Sequence, residues 1–539
     1  MLMRYKGLAN ISASQKARLV FACSLTAILL YIYLRGIGDH GLFDNIEGVN
    51  ASISLNMLSH SNYFKPKLGA IDFAGKSLGL WLLNALSLKI FGWNEFAVRF
   101  WPALSGVLIA WAAYLAAETR RGGILAAIIS ASMTLCFAAS QLAAGYSLYA
   151  CLMGFALAGF INKKFLWCFA ASISAFIIQG PEGLIMPWLT LFLFSLLIQD
   201  FERLKFALKN KLIVFIAVMA LLIYLALLLI FNPLMLTLMT YRSPRLIEFN
   251  ILNYIFIILF AFTPWLGFLI QAFWEVLPKN LFELESLISC GFERRIFTAF
   301  WFVIFLIAAL ATGDLLMLTA CVPAAGVLIG DSLDEWIETG RVLAVQNAAA
   351  LNSLILILII FIALPCAWKF TPILKGSEMS LIPWAVFLLI FIMISRYFSR
   401  KRKIIKLTRC AMLAALACLM PLTGIFDLAA ANFTLRDSGL MLRNNLKPGD
   451  LMIQYDIHRP SLYFYSLGDY ALSQHSPEID GIASKRFRLS DNNISLMWAD
   501  DARYFLVIDK TRNFVPPLPN NTFPVVELER EKIIVLSNH

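Results

Sequence analysis

Charge is scarce in this chain. Asp, Glu, Lys and Arg make up 15% of its 539 residues, where an ordinary soluble domain has about 25%. That excludes a solvated globule. The 60% hydrophobic content and mean hydropathy of +0.74 identify a polytopic membrane protein. Histidine is rarer still: His40, His60, His458, His475 and His539 show no ligand spacing, so a metal has little support, although a divalent ion stays open. The nine cysteines are odd in number, lie mostly in apolar runs and end at Cys418, so they read as small core residues and the C-terminal part is not disulfide-stapled. There is no glycine-rich nucleotide loop, no internal repeat and no low-complexity tract. The net charge of +11 could suggest nucleic acid, but the Lys and Arg residues stand at the ends of apolar runs, where they orient helices against a bilayer. Nucleic acid is therefore excluded as a partner.

What is present is a succession of apolar runs. Arg4, Lys6, Lys16 and Arg18 precede the run Leu19 to Leu34, which is of spanning length and lacks a small-residue cleavage site, so it reads as an uncleaved first helix. Counting runs of roughly 17 to 25 residues as spans gives about thirteen, near 17–36, 80–118 (a re-entrant or interfacial piece and a span), 122–142, 145–161, 165–179, 183–199, 211–231, 251–274, 296–312, 315–330, 349–367, 381–396 and 408–428. With a cytoplasmic N-terminus, the alternate loops hold Arg120 and Arg121, Lys163 and Lys164, Arg203 to Lys211, Arg294 and Arg295, and Arg396 to Arg409, the alternation that positive-inside topology requires. The acidic loop Asp331 to Arg341 is the exception. The outer side then receives Gly41 to Pro102, Asn232 to Asn250 and the C-terminal region, so Asp44, Arg242 and His458 share one aqueous face opposite Arg402. The composition changes after about Phe426, which divides the chain into a transmembrane domain at 1–428, with its first outer loop at 37–102, and an outer-side α/β domain at 429–539. In the latter, Leu451 to Tyr455, Tyr504 to Ile508, Val525 to Leu528 and Ile533 to Leu536 read as strands.

The loop at Gly41 to Pro102 is the only polar interval in the first half long enough to hold a site. Two readings of its acids stay open. Asp44 can be an N-cap that Glu47 completes as a capping box, with Ile46, Val49, Ile53 and Met57 as the apolar stripe of a helix lying on a membrane. Alternatively, Asp44 and Glu47 are acids of a catalytic loop at the mouth of a membrane bundle.

Several stretches resemble the bacterial GT-C type glycosyltransferases that include lipid A aminoarabinose transferase and, more distantly, the protein O-mannosyltransferases. These are Gly41 to Ala51, Phe91 to Phe100, Gln179-Gly180-Pro181, Phe262-Thr263-Pro264-Trp265, Pro323, and Arg459-Pro460-Ser461-Leu462-Tyr463-Phe464-Tyr465. The resemblance implies a GT-C type bundle, a polyprenyl-phosphate sugar donor and work on the outer face of a bacterial inner membrane. The departures fall on polar positions. The family's loop Asp falls on Ile46 and only its Glu survives, as Glu47; its Glu-Lys-Pro motif falls on Ala74, Gly75 and Lys76; its membrane-embedded Asp falls on Tyr146; and the Lys before Gly-Pro is Gln179.

Inverting glycosyl transfer needs a carboxylate to take the acceptor's proton and cations to hold the departing phosphate. Glu47 and Asp44 are the candidates for the first task, with Glu47 expected to matter more because it occupies the retained position. Lys76, Arg99, Lys65, Lys67, Arg242 and Arg245 are candidates for the second. The expected function is transfer of a sugar from a polyprenyl-phosphate donor to an outer-side lipid or cell-envelope glycan. The alternative is a catalytically impaired scaffold that binds lipid or a partner. A transporter fits less well, since intramembrane charges are few and repeats absent.

Overall fold

The computed structural model describes residues 13–69, 71–73, 78–231, 251–276, 293–370, 378–430, 433–447, 449–476, 488–500, 502–509, 523–528 and 533–538. Most of them are helical. Helices α1 (Ala13–Leu34), α2 (Val49–His60), α3 (Leu78–Phe91), α4 (Glu95–Ala116), α5 (Arg120–Ser132), α6 (Thr134–Ser140), α7 (Tyr146–Ile161), α8 (Phe165–Gln179), α9 (Pro181–Leu197), α10 (Glu202–Lys209) and α11 (Lys211–Phe231) form the first part of the bundle. Among the described residues seven helices are long and apolar enough to cross a membrane, or up to eight if the pair α5 and α6, bent by 61°, is one span. The shorter apolar helices include α3, α7, α8, α9 and Leu266–Val276. Every expected span coincides with apolar helix, but several are broken. Pro264 interrupts the segment 251–274 into Ile251–Ala261 and Leu266–Val276. The groups freed at that break are not left bare, because the buried Asn352 accepts from the Gly267 amide (2.9 Å) and donates to the Pro264 carbonyl (2.9 Å). In a hydrocarbon setting such repairs are obligatory.

Small residues bring the helices together. Along Val322–Thr339, Gly326 and Gly330 are one turn apart and face Gly122, Ala126 and Ser130 of α5. A Cβ on Gly330 would lie 2.7 Å from both the Ala126 nitrogen and the Gly122 carbonyl oxygen, which are backbone atoms with nowhere to go. This is the close small-residue packing by which membrane helices gain contact without a hydrophobic driving force. Gly330→Ala is therefore expected to lower stability by about 1–3 kcal/mol, read as a fall in the thermal unfolding midpoint of the purified protein; an unchanged midpoint would show that the two helices can separate freely.

The acidic stretch 331–341 is not a loop. It continues the helix Val322–Thr339, and its acids meet basic residues from other helix ends: Asp334 pairs with Arg121, Glu335 with Arg295 and with Arg341 (3.3 Å), and Glu338 with Arg121 (3.0 Å). The basic ends at 121 and 295 and the acids at 334, 335 and 338 thus neutralise one another at one end of the bundle.

The C-terminal part builds a six-stranded sheet in the order β5-β4-β3-β6-β8-β7, with β3 at Leu451–Tyr455, β4 at Tyr470–Ser473, β5 at Arg488–Leu489, β6 at Tyr504–Asp509, β7 at Phe523–Leu528 and β8 at Ile533–Ser537. A separate two-stranded ladder, β1 (Lys67–Leu68) and β2 (Ile71–Asp72), lies in the first loop. Strands β3 to β6 are mutually parallel, while β8 pairs antiparallel with both β6 and β7. Alternate residues serve the two faces, as strand geometry dictates. Met452, Phe505 and Val507 join a core with Leu42, Ala51, Ile53, Leu55 and Met57, whereas Ile453, Tyr455 and Leu506 pack on Ile494 and Trp498 of the helix Asp491–Trp498.

That first core corrects the reading of α2 as a helix on a membrane surface. Residues 51–57 are buried all round, polar and apolar alike. Ser52 donates to the Pro460 carbonyl (2.7 Å), and Asn56 donates to the Gly69 carbonyl (3.1 Å) and the Tyr463 hydroxyl (3.0 Å). The helix is the filling between the bundle and the sheet.

Candidate functional site

Three side chains, Asn94, Arg99 and Glu47, fix the first loop after α1. Asn94 caps α4 by accepting from the Ala97 amide (2.8 Å), which starts the helix so that Arg99 falls one turn inside it, fully buried. All five guanidinium N–H donors are engaged. Nε and Nη2 donate to Glu47 at 2.7 and 2.6 Å, and the rest go to the carbonyls of Ile37 (2.8 Å), His40 (2.8 Å) and Gly41 (3.0 Å). Five is the whole capacity of arginine. Glu47 is equally engaged: beyond Arg99, its Oε2 accepts from the Phe43 amide (2.8 Å) and its Oε1 from the Ala143 amide (2.6 Å). Burial alone would raise its carboxyl, but the charge and hydrogen bonds of Arg99 outweigh that and hold it below the usual range.

Two sequence assignments change as a result. Arg99 has no donor left for a phosphate, and Glu47 is a carboxylate locked in the charged state by the groups around it. Together they clamp the loop against α4 and the turn before α7. The capping reading also shifts. The turn Asp44–Gly48 starts from Phe43, which supplies no side-chain cap, and Glu47 reaches back to the Phe43 amide while Asp44 serves another element altogether.

Asp44 Oδ1 accepts from the Ser461 amide (2.8 Å), the first residue of the helix Ser461–Ser466. Oδ2 is buried without a hydrogen bond and lies 3.5 Å from Nη1 of Arg459. Gly48 permits this approach: a Cβ there would sit 2.9 Å from the Ser461 nitrogen and 3.1 Å from Asp44 Oδ1. Burial raises the Asp44 carboxyl above its usual value and prevails over the opposing Arg459 charge and the Ser461 hydrogen bonds. Asp44 and Glu47, three residues apart and both buried, are thus driven in opposite directions, Asp44 up by burial and Glu47 down by Arg99. Beside Asp44, Tyr470 is buried and meets Nε2 of His458 at 3.3 Å; burial, with the Arg459 and Arg488 charges, pushes that imidazole down to about 3, so it is neutral at physiological pH.

The remaining cations divide. Lys65 is exposed and Lys67 half-buried on β1, in the hairpin that Asn56 ties to Tyr463. Lys76, Arg242 and Arg245 lie outside the described residues. Two residues were not foreseen as members of the site. Arg459 was visible only as the start of the Arg-Pro-Ser stretch. Asp314 stands in the break between two helices, where a lone acid after Gly313 was the signal; its Oδ2 accepts a hydrogen bond from the Tyr146 hydroxyl (3.0 Å), which sets a carboxylate against the tip of the side chain at position 146. Among the described residues no group of three or more His, Cys, Asp or Glu side chains converges to hold a metal ion.

No protein-family model matches the chain. Partial relatives are found. The undecaprenyl phosphate-alpha-4-amino-4-deoxy-L-arabinose arabinosyl transferase of Yersinia enterocolitica is 35% identical over 120 residues, 22% of either chain. The protein of that name from Aeromonas hydrophila is 28% identical over 165 residues, 30% of this chain and 27% of its own. The chain therefore matches only about a quarter of the length of these curated relatives. Solved structures match from end to end: ArnT from Cupriavidus metallidurans superposes with a TM-score of 0.78 in the apo state, over 97% of this chain and 98% of that one, at 15% identity. Its complex with undecaprenyl phosphate gives 0.77, over 96% and 98%, also at 15% identity. The chain thus has the polytopic GT-C fold of the ArnT structures, helical bundle and small C-terminal sheet alike.

Proposed function

We propose that this protein is an integral membrane glycosyltransferase that moves a sugar from a polyprenyl-phosphate donor to a lipid or cell-envelope glycan. The observation that carries the reading is the superposition over 96% of the chain on an ArnT structure bound to undecaprenyl phosphate. The chemistry fits a fold without a nucleotide loop, because a lipid phosphate is a donor that membrane helices can present directly. The scaffold alternative has no support in the comparisons, whose named relatives are transferases.

In this proposal Asp44 is the base. Its Oδ2 has no hydrogen bond and its carboxyl is raised above the usual carboxylate value, the direction that proton abstraction favours; Arg459, about 29% exposed, swings aside to admit the acceptor. Glu47 and Arg99 position the loop that carries it. Lys65 and Lys67, with Lys76, Arg242 and Arg245, are the cations for the departing phosphate. The domain division at 428/429, the bacterial inner-membrane location, the cytoplasmic N-terminus and the outer placement of this end of the bundle belong to the same proposal. The test is direct: purified protein in lipid, offered a panel of undecaprenyl-phosphate sugars together with an envelope glycolipid extract as acceptor, is expected to move at least one sugar onto an acceptor and release undecaprenyl phosphate. Failure to bind or consume any of a broad panel removes the reading.

A further inference from the structure

The end of the bundle away from Asp44 holds a feature with no part in this chemistry. A cavity of about 920 Å³ lies between α1, α4 and α5, walled by Leu19, Leu25, Leu29, Trp111 and Ile124, and its polar rim is Arg120 and Arg121. Its size is that of a site for one small ligand. The two arginines differ. Arg121 spends its charge on Asp334 and Glu338. Arg120 is exposed and has no acidic partner among the described residues. It also opens α5, whose cap Thr119 accepts from the Gly122 amide (2.9 Å), so the positive end of the helix dipole adds to its charge. Tyr114 lines the cavity too, its ring edge to face with that of Trp111 at 5.5 Å, and such amphipathic aromatic rings are enriched where a helix meets a membrane interface.

An apolar trough that ends in an exposed guanidinium without an acidic partner among the described residues is complementary to one kind of molecule. We propose that this groove binds one anionic glycerophospholipid, with an acyl chain along Leu25 and Trp111 and its phosphate against Arg120. Basic pockets between membrane helices select acidic headgroups in this way. The site is separate from the donor site, since α4 carries Arg99 at one end and adjoins Arg120 beyond the other.

Full-length protein in phosphatidylcholine nanodiscs would be given, at equal mole fraction, a photoactivatable-chain phosphatidylglycerol or the matching phosphatidylcholine, and labelled peptides mapped by mass spectrometry. Labelling of α1, α4 and α5 is expected to favour phosphatidylglycerol by about fivefold, the factor one basic side chain near a lipid phosphate supplies. Arg120→Gln should bring it to the phosphatidylcholine level, while the exposed position leaves the unfolding midpoint unchanged. Leu25→Trp, which fills the trough, should suppress labelling by both lipids. Equal labelling by the two lipids, or selectivity that survives Arg120→Gln, overturns the proposal. So does displacement of the label by undecaprenyl phosphate at equimolar concentration, which would make the groove a donor site.

Discussion

Glu47→Gln is expected to destabilise the full-length protein by about 3–5 kcal/mol, the cost of leaving a buried charge without its partner. The substitution keeps the shape of the side chain and its reach to the Phe43 amide, but strands the Arg99 guanidinium in a place with no water. Arg99→Met should be equally damaging for a different reason, because the carbonyls of Ile37, His40 and Gly41 lose their donors. The double variant is expected to recover little, since the orphaned carbonyls persist when the charges are gone. Thermal unfolding in detergent measures all three. The pH dependence has a fixed sign: a carboxyl held below its unfolded value, near 4.5, contributes stability that is present above that value and is lost as pH falls through the folded pKa. A Glu47→Gln protein that keeps its midpoint and loses turnover would make Glu47 the base after all.

Asp44→Asn should do the opposite on both counts. Turnover is expected to fall by about 100- to 10,000-fold, the range for a lost general base, while the unfolding midpoint at neutral pH stays level or rises. Asparagine still accepts from the Ser461 amide, and Arg459 is free to turn to solvent. The stability sign follows from the raised carboxyl. Its contribution is full below the unfolded value near 3.8 and is lost as pH rises through the folded pKa, so at pH 7 the ionised form opposes folding and the amide removes that opposition. A fall in midpoint together with retained turnover would reduce Asp44 to a link between the loop and the helix Ser461–Ser466.

The apolar helices and the C-terminal strands at 451–455, 504–509, 523–528 and 533–537 were legible in the sequence because each rests on local pattern, apolar runs in the one case and alternation in the other; the polar interval among apolar helices is what marks the proposed site. The strands β4 and β5 were not, being short segments that owe their pairing to a neighbour, β4 to β3 and β5 to β4. The roles of Asp44 and Glu47 were beyond reach for the same reason at longer range. What meets a carboxylate decides what it can do, and here Arg99, Ala143 and the stretch Arg459 to Ser461 arrive from three distant places in the chain. The retained family position at Glu47 pointed to importance; the count of hydrogen bonds is the observation behind proposing a mechanical role, which the Glu47→Gln variant tests.

The shared core around α2 sets a schedule for biosynthesis. Asp44 and Ser461 are 417 residues apart, whereas Glu47 and Arg99 are separated by 52. At about 5–20 residues per second, the clamp becomes available within seconds of the loop's emergence, but the amide that Asp44 accepts from and the strands that cover Ile53 and Met57 follow only after roughly 20–80 s at the same rate. During that interval the apolar side of α2 faces whatever surrounds the nascent chain. A ribosome stalled or a transcript cut in the last fifth of the gene thus leaves a finished bundle with an open, sticky crown, a species that quality-control proteases and holdases would meet before any substrate does.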